Sequence, residues 1–403
     1  MRLGALECAL AFVLICLMSD SAAAQTFTTL HTFTGGTDGG FAFAPLILDD
    51  SGNLYGTTYQ GGTYNCDPNN SGRGCGVVFR MDNQGNETVL YSFQPSPDAQ
   101  LPDAGLTRDR AGNLYGTTFW GGTHITYGAV YKVDPSGKET VLHSFNRDGG
   151  GYHPTSGLIH DGAGNLYGTT VYGGILSCVI QRTEYGCGVV FKINRQGNET
   201  VLHKFHGGDG AWPNGELLRD AQGNLYGTAS VGTSSAGVVF KIDSSGKFHV
   251  LHQFPSQQDD GYTPTGSLVR DAAGNLYGTT QNGGAANYGT VYKLDKTGKI
   301  TILYSFALGA DGGLPEGGLV RDTAGNLYGT TSLGGDLACN GGSGCGTIFK
   351  IDSSGHETVL HNFEGKPGEF PDARLVIDAA GAIYGTTPGN DLANYGSVFK
   401  LVP

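Results

Sequence analysis

One short phrase, Leu-Tyr-Gly-Thr, is written again and again along this chain, and that alone leaves few folds open to it. Copies begin at Leu54, Leu114, Leu166, Leu225, Leu276 and Leu327, and a variant, Ile383-Tyr384-Gly385-Thr386, closes the series. The steps between them are 60, 52, 59, 51, 51 and 56 residues. Recurrence at that period marks a repeat architecture in which each unit buries its apolar face against its neighbours. The repeat around Asp322 displays the unit. An apolar run, Gly318–Asp322, reads as strand a, and an Asp-x-x-Gly turn leads to strand b, Asn326–Thr331. A Gly-Gly loop precedes strand c, Gly346–Asp352, and a second such turn leads to strand d, Glu357–Phe363. The runs are short, rich in β-branched and aromatic residues, and bounded by Gly, Asp, Asn and Ser. No sustained 3.6-residue apolar period follows residue 24, so no helix longer than a turn is expected. Four antiparallel strands in each of seven repeats predict an all-β fold, a seven-bladed β-propeller filling residues 25–403 as a single domain.

The two ends of the repeat array fit together. The last repeat stops after its strand c, at Val398–Val402, while Thr26–Phe33 precedes the first repeat and matches strand d of the others. The N-terminal strand is therefore expected to complete the seventh blade, which removes an open sheet edge. Before it, Met1–Ala24 carries Arg2, an apolar run from Ala9 to Met18, and three alanines ahead of Gln25. That is the pattern of a secretory signal peptide, too short for a confident transmembrane span. No second apolar segment exists and the chain ends at Pro403 in a strand. A secreted or periplasmic monomer with no transmembrane segment is expected.

Charge narrows the partners. The formal net charge is −12 at pH 7, which argues against a nucleic-acid or anionic-membrane partner, since both require a basic surface. The cysteines after residue 24 fall in pairs, Cys66 with Cys75, Cys178 with Cys187 and Cys339 with Cys345. Each pair lies in the b–c loop of its own repeat, and those three repeats are the long ones. Zinc motifs place cysteines two to four apart with further ligands beside them; these pairs are wider and no repeat offers two histidines nearby. Disulfides are expected, with no metal and no cofactor.

The repeated polar residues read as frame. Asp49, Asp109, Asp161, Asp220, Asp271, Asp322 and Asp378 begin the a–b turns, where a carboxylate accepts backbone N–H groups. One position of strand d holds His31, His143, His203, His252 or His361, with Tyr91 and Tyr304 in two repeats. These sites are too far apart around a ring to share a metal. Arg108, His160, Arg219, Arg270 and Arg321 end strand a, where pairing with the turn carboxylates is expected and an anion-binding channel mouth is the alternative.

The variable loops are better candidates for function. The d–a loops carry Asp148, Tyr152, Asp209, Trp212, Asp260, Tyr262 and Asp311, each within an Asp-Gly-x-x-Pro-like frame, and the b–c loops add Trp120, Tyr127, Tyr172, Tyr185, Tyr288 and Tyr395. In a propeller both loop sets lie on one face. Rings beside carboxylates and amides are a common way to hold a sugar, so a carbohydrate or protein ligand is expected there. Glu216 and Glu316, just after two of these loops, are candidate acids should the protein be a polysaccharide hydrolase or lyase. No nucleophile motif such as Gly-x-Ser-x-Gly is present.

The unit Gly-Asn-Leu-Tyr-Gly-Thr-Thr, Gly-Gly, Tyr-Gly-x-Val-Tyr-Lys-Leu-Asp, Thr-Val-Leu-x-Ser-Phe and Asp-Gly with a following Pro resembles the GloVer tandem-repeat family of bacterial exported proteins. The resemblance spans residues 25–403. It implies export and, for many members, a C-terminal anchoring signal; it supplies no activity or catalytic residues.

Overall fold

The computed structural model describes residues 25–66, 73–124, 126–180, 184–232, 236–255, 260–366, 368–389 and 394–403. The expected leader, Met1–Ala24, lies outside the described residues. Seven four-stranded antiparallel sheets follow one another along the chain. Blade 1 is strand a Ile47–Leu48, strand b Leu54–Thr58, strand c Val77–Met81 and strand d Glu87–Ser92. Blade 7 takes strands a to c from Val376–Ile377, Ile383–Thr387 and Ser397–Val402. Its strand d is Thr26–Thr32, paired antiparallel with Thr26 opposite Val402 and Thr32 opposite Ser397. The ring is closed by the N-terminal strand, as the sequence predicts.

Each letter of the repeated phrase has a task. Its Leu is buried in the sheet-to-sheet core. Its Tyr donates from the hydroxyl to the Asp of the a–b turn in all seven blades, at 3.0–3.1 Å. That Asp also accepts backbone N–H groups of its own turn, for example Ala111 and Asn113 on Asp109. Its Gly marks a close approach: a Cβ on Gly56 would stand 2.6 Å from the Phe79 ring and 2.8 Å from Leu46. Its first Thr reaches the next blade, donating to the carbonyl of Ala104, Ser156, Gly266, Ala373 or Ala44.

Blade-to-blade packing is aromatic. The Phe that ends strand d of one blade meets the strand c ring of the next. The pairs are Phe33–Phe79, Phe93–Tyr131, Phe145–Phe191, Phe205–Phe240, Phe254–Tyr292, Phe306–Phe349 and Phe363–Phe399, edge to face at 4.9–5.5 Å. Further out, the strand d His or Tyr faces the first residue of the next strand d, or, in blade 7, the second. Where that residue is Phe the imidazole stacks on it, His203 on Phe248 at 3.6 Å and His361 on Phe27 at 3.7 Å. Where it is Glu, a buried carboxyl sits there instead. Burial and the nearby Asp38, Asp98 or Asp311 push Glu87, Glu139 and Glu357 up to about 7, 8 and 7. The three expected disulfides are present, with Cα–Cα separations of 5.0, 5.8 and 5.7 Å.

The arginines ending strand a differ from expectation. The carboxylates of the a–b turns are already engaged by Tyr and Asn side chains, so Arg108, Arg270 and Arg321 lie instead over the rings of Tyr55, Tyr226 and Tyr277 in the preceding blade, 5.6–6.0 Å from the centroids. A guanidinium over a ring face is an attractive arrangement, and it ties neighbouring blades together. Among the described residues no helix is long and apolar enough to cross a membrane.

Candidate functional site

The loop face is organised by one unusual backbone position per blade. Phe41, Leu101, His153, Trp212, Thr263, Leu314 and Phe370 all have left-handed φ, between 53° and 60°. Bulky residues rarely adopt this conformation, which stores about 1–2 kcal/mol each. The reason is a two-sided hydrogen bond. The N–H of each donates to the b–c loop of the preceding blade, as Trp212 does to Cys187 O at 3.0 Å. In blades 1 to 6 its carbonyl accepts from the b–c loop of its own blade, as from Ser230 N at 3.3 Å. In six blades the next residue is Pro, seated against the Gly that precedes strand c of the neighbouring blade; a Cβ on Gly289 would lie 2.6 Å from Pro315.

This clamp aims the residues that follow at the propeller axis. The first beyond the Pro position are Phe43, Asp103, Thr155, Asn214, Thr265, Glu316 and Asp372, and together they line an axial well of about 130 Å³. One tier below, the positions are all small: Ala44, Ala104, Ser156, Gly215, Gly266, Gly317 and Ala373. Below that stand Glu216 and Arg374, from blades 4 and 7, joined across the axis at 2.8 Å. Both also line a second cavity of about 350 Å³ that runs on past Thr107, His160 and Arg219 toward the a–b turns. The channel is thus an acidic upper well and a lower passage, with an ion pair between them.

Three carboxyls crowd one side of the upper well. Burial pushes Asp103 up to about 7. Asp372 is held well above the usual carboxylate range by burial, and then by the charges of Glu316 and Asp103. Burial also raises Glu316, against the opposing hydrogen bond from Gln281 Nε2 at 2.7 Å. The well opens along the axis, so these residues are partly exposed as wholes, yet Asp372 Oδ1, Asn214 Oδ1, Thr155 Oγ1 and Arg374 Nε are out of contact with water and without a hydrogen-bond partner. Tyr59 stands beside Asp103 and is raised by burial and that charge. Phe43 packs against Phe41 and Tyr59 at 6.3 and 5.8 Å, placing an aromatic rim on the same side.

The sequence candidates are spread more widely. Glu216 and Glu316 both line the channel, on different tiers. None of the eight loop residues lines the well. Asp209 accepts from His203 Nε2 at 2.7 Å and the His206 N–H at 2.9 Å, and Asp311 accepts from Tyr304, Ala307 and Gly309. Asp260 lies near His252 and Asp148 is exposed. Tyr152 is buried and donates to Tyr185 O at 2.9 Å, and Tyr262 donates to Asn287 Oδ1 at 2.9 Å. Trp120 is half-buried beside Phe119. Trp212 packs on the blade 3–4 core with its Nε1 unpartnered. Asp103 and Asp372 were missed by sequence reasoning, although a signal exists: the residue after each loop Pro forms a column in which acids break the repeat. Among the described residues one trio of metal-capable side chains converges, Cys339, Cys345 and Glu369. Its two sulfurs are bonded to each other, so it offers no thiolate.

Fold and channel define the class: a closed seven-bladed propeller with an asymmetric acidic well on its axis. The chain belongs to the Gloeobacter/Verrucomicrobia repeat family, whose profile matches residues 16–181, 66–269 and 177–341. No curated protein sequence matches it. Among solved structures it is similar to an extracellular domain attributed to a hybrid two-component system of B. thetaiotaomicron, at 12% identity and TM-score 0.57, covering 94% of this chain and 41% of that one. It is also similar to an extracellular domain attributed to a one-component system of the same organism, at 13% identity and TM-score 0.55, covering 93% and 42%. The chain spans about two fifths of the length of either, and at these identities the likeness is one of fold.

Proposed function

We propose that this is an exported binding protein that takes its ligand on the loop face, at the axial well, and that the ligand is a glycan presenting one end to the axis. The observation that carries this is where the repeat breaks. The hydrogen-bonding frame is kept through the blades, whereas the well reads Phe43, Asp103, Thr155, Asn214, Thr265, Glu316 and Asp372. Unique polar groups converging on a concavity are what a ligand requires and a scaffold does not. Carboxyl, amide and hydroxyl groups suit sugar hydroxyls, and the Phe41–Phe43 rim with the more distant Trp212 and Tyr262 offers stacking surfaces. A well of this volume takes a chain terminus rather than a whole oligosaccharide. Export is supported by the three disulfides, which persist in oxidising compartments, and by the leader pattern at residues 1–24.

The test is glycan-array binding by residues 25–403, with Asp372→Asn, Phe43→Ala, Trp212→Ala and Tyr262→Ala as variants. Binding lost in the first two places the glycan at the axis, and loss only in the last two places it on the outer loops. No binding to any glycan overturns the carbohydrate reading in favour of a protein ligand. A hydrolase or lyase is the second reading. It is favoured by one observation, the acids Glu216, Glu316, Asp103 and Asp372 lining the channel, where burial raises the last three above the usual carboxylate range, the direction a general acid needs. Release of new reducing ends from a bound glycan would establish it.

A further inference from the structure

We propose that the three disulfides are a redox control on the axial well: a small dithiol that reduces them loosens the clamps aiming Asp103, Asn214 and Asp372, while the ring stays closed. The use of that release rests on the axial-ligand reading.

The clamp ahead of each well residue ends on one carbonyl of the preceding blade. The Leu101 N–H donates to Cys75 O at 2.9 Å, the Trp212 N–H to Cys187 O at 3.0 Å and the Phe370 N–H to Cys345 O at 3.0 Å. In every disulfide the second cysteine is thus the residue that carries the acceptor. The same position is Tyr395, Tyr127 and Tyr288 in the clamps of Phe41, His153 and Leu314, and those three rings pack against the blade cores. In the clamp of Thr263 it is Ala236, which supplies neither a ring nor a sulfur. One peptide is therefore braced either by a packed tyrosine or by a disulfide. The two devices serve different residues. The sulfur-braced clamps aim Asp103, Asn214 and Asp372, which are two of the three carboxyls and the one amide of the well, whereas the tyrosine-braced clamps aim Phe43, Thr155 and Glu316. A packed ring offers no bond for a thiol to open; a disulfide does. A reduced cysteine side chain is little larger than alanine, so reduction brings three clamps to the condition of the Thr263 clamp.

The chemistry is ordinary thiol–disulfide exchange. In each pair the second cysteine is fully buried and the first less so: Cys66 and Cys339 are partly buried and Cys178 is 7% exposed. One thiolate of the dithiol attacks the sulfur of the first cysteine, the S–S bond breaks, and the second cysteine leaves as a thiolate that takes a proton. The other thiol of the reagent then attacks the mixed disulfide, frees the first cysteine, which is protonated in turn, and leaves the dithiol oxidised to a cyclic disulfide. Two of the released sulfurs already face an acceptor, Cys75 Sγ lying 3.5 Å from Tyr64 O and Cys345 Sγ 3.7 Å from Glu369 Oε2. A disulfide sulfur has no proton to give these oxygens, whereas a thiol is a weak donor. Glu369 is 5% exposed and its Oε1 accepts from Asn394 Nδ2 at 2.6 Å, which holds Oε2 toward the sulfur. Ring closure is independent of all this. The edge-to-face pairs between blades and the pairing of Thr26–Thr32 with Ser397–Val402 contain no cysteine.

The experiment is hydrogen–deuterium exchange, resolved to single amides by mass spectrometry, on residues 25–403 before and after full reduction with dithiothreitol. The expected result is that the Leu101, Trp212 and Phe370 amides exchange at least about tenfold faster once reduced, approaching the Thr263 amide, while those of Phe41, His153 and Leu314 keep their rates. Far-UV dichroism and continued protection of Thr26–Thr32 confirm that the ring is intact. The paired change Cys66→Ser with Cys75→Ser should quicken Leu101 alone, without any reductant. Unchanged protection of Leu101, Trp212 and Phe370 in the fully reduced protein overturns the proposal, and so does loosening of all seven clamps together or loss of the closing strand. The glycan array repeated in dithiothreitol reads the consequence, binding at the axis being expected to weaken by about the same factor. Loosened clamps beside unchanged glycan binding would sink the axial-ligand reading and leave the redox release standing.

Discussion

Phe33 offers the sharpest test of how this ring is held shut. It directly follows the N-terminal strand, is 3% exposed, and packs edge to face on Phe79 of blade 1 at 5.4 Å. Phe205 holds the same position in the middle of the chain, is 0% exposed, and packs on Phe240 at the same distance. Truncating a buried Phe to Ala typically costs about 3–5 kcal/mol, part transfer and part cavity, of which an edge-to-face pair supplies about 0.5–1.5. If the closing strand is an integral seventh strand d, Phe33→Ala and Phe205→Ala should fall in that same range. Equilibrium urea unfolding followed by tryptophan fluorescence and far-UV dichroism measures both, with coincident transitions required before a single free energy is assigned. A cost for Phe33→Ala below about 1 kcal/mol, as for an ordinary surface change, beside a full cost for Phe205→Ala, would refute closure by residues 26–33. Deletion of residues 25–34 must then also melt like the intact protein; if closure holds, it destabilises the whole ring.

Three further outcomes are expected. Glu87, Glu139 and Glu357 hold protons in the folded state that the unfolded chain releases near pH 4.5, so their contribution falls as pH rises from there and is fully unfavourable above about 8. Melting temperatures of the triple Gln variant should therefore gain on the wild type between pH 5 and pH 9, and parallel curves would contradict this. Replacing Cys178 and Cys187 by Ala, which opens a nine-residue separation, should cost about 2–3 kcal/mol by the chain-entropy estimate, read by urea unfolding. Thr263 is β-branched at φ 59°, so Thr263→Asn should stabilise by about 1 kcal/mol, and a loss in thermal unfolding would mean that the Thr side chain makes a contact worth more than the strain.

The architecture was legible because one repeated phrase encodes it. Tyr and Asp announce the a–b turn, Gly the close approach to strand c, and unpaired Thr26–Phe33 the closure. The disulfides were legible from loop length and spacing. The well was legible only in part. Glu216 and Glu316 stood out as acids near loops, but Asp103 and Asp372 sit beside prolines that the eye assigns to loop shape. Their convergence depends on the left-handed residue before each Pro, and nothing in Leu101 or Phe370 as residue types announces positive φ. Trp212 and Tyr262 drew attention as large rings, yet neither lines the well. The arginines ending strand a were misread because the turn carboxylates beside them in sequence had already been satisfied from within their own repeat.

The same left-handed residues have a consequence for how such a protein changes. The clamp itself is made by the main chain, through one N–H and, in blades 1 to 6, one carbonyl, so it does not depend on side-chain identity. The seven positions hold Phe, Leu, His, Trp, Thr, Leu and Phe, all half-buried on the loop face. They amount to a set of interchangeable fittings on a fixed mount. A lineage can exchange the surface of the loop face one residue at a time, while the main-chain wiring between the blades is left undisturbed.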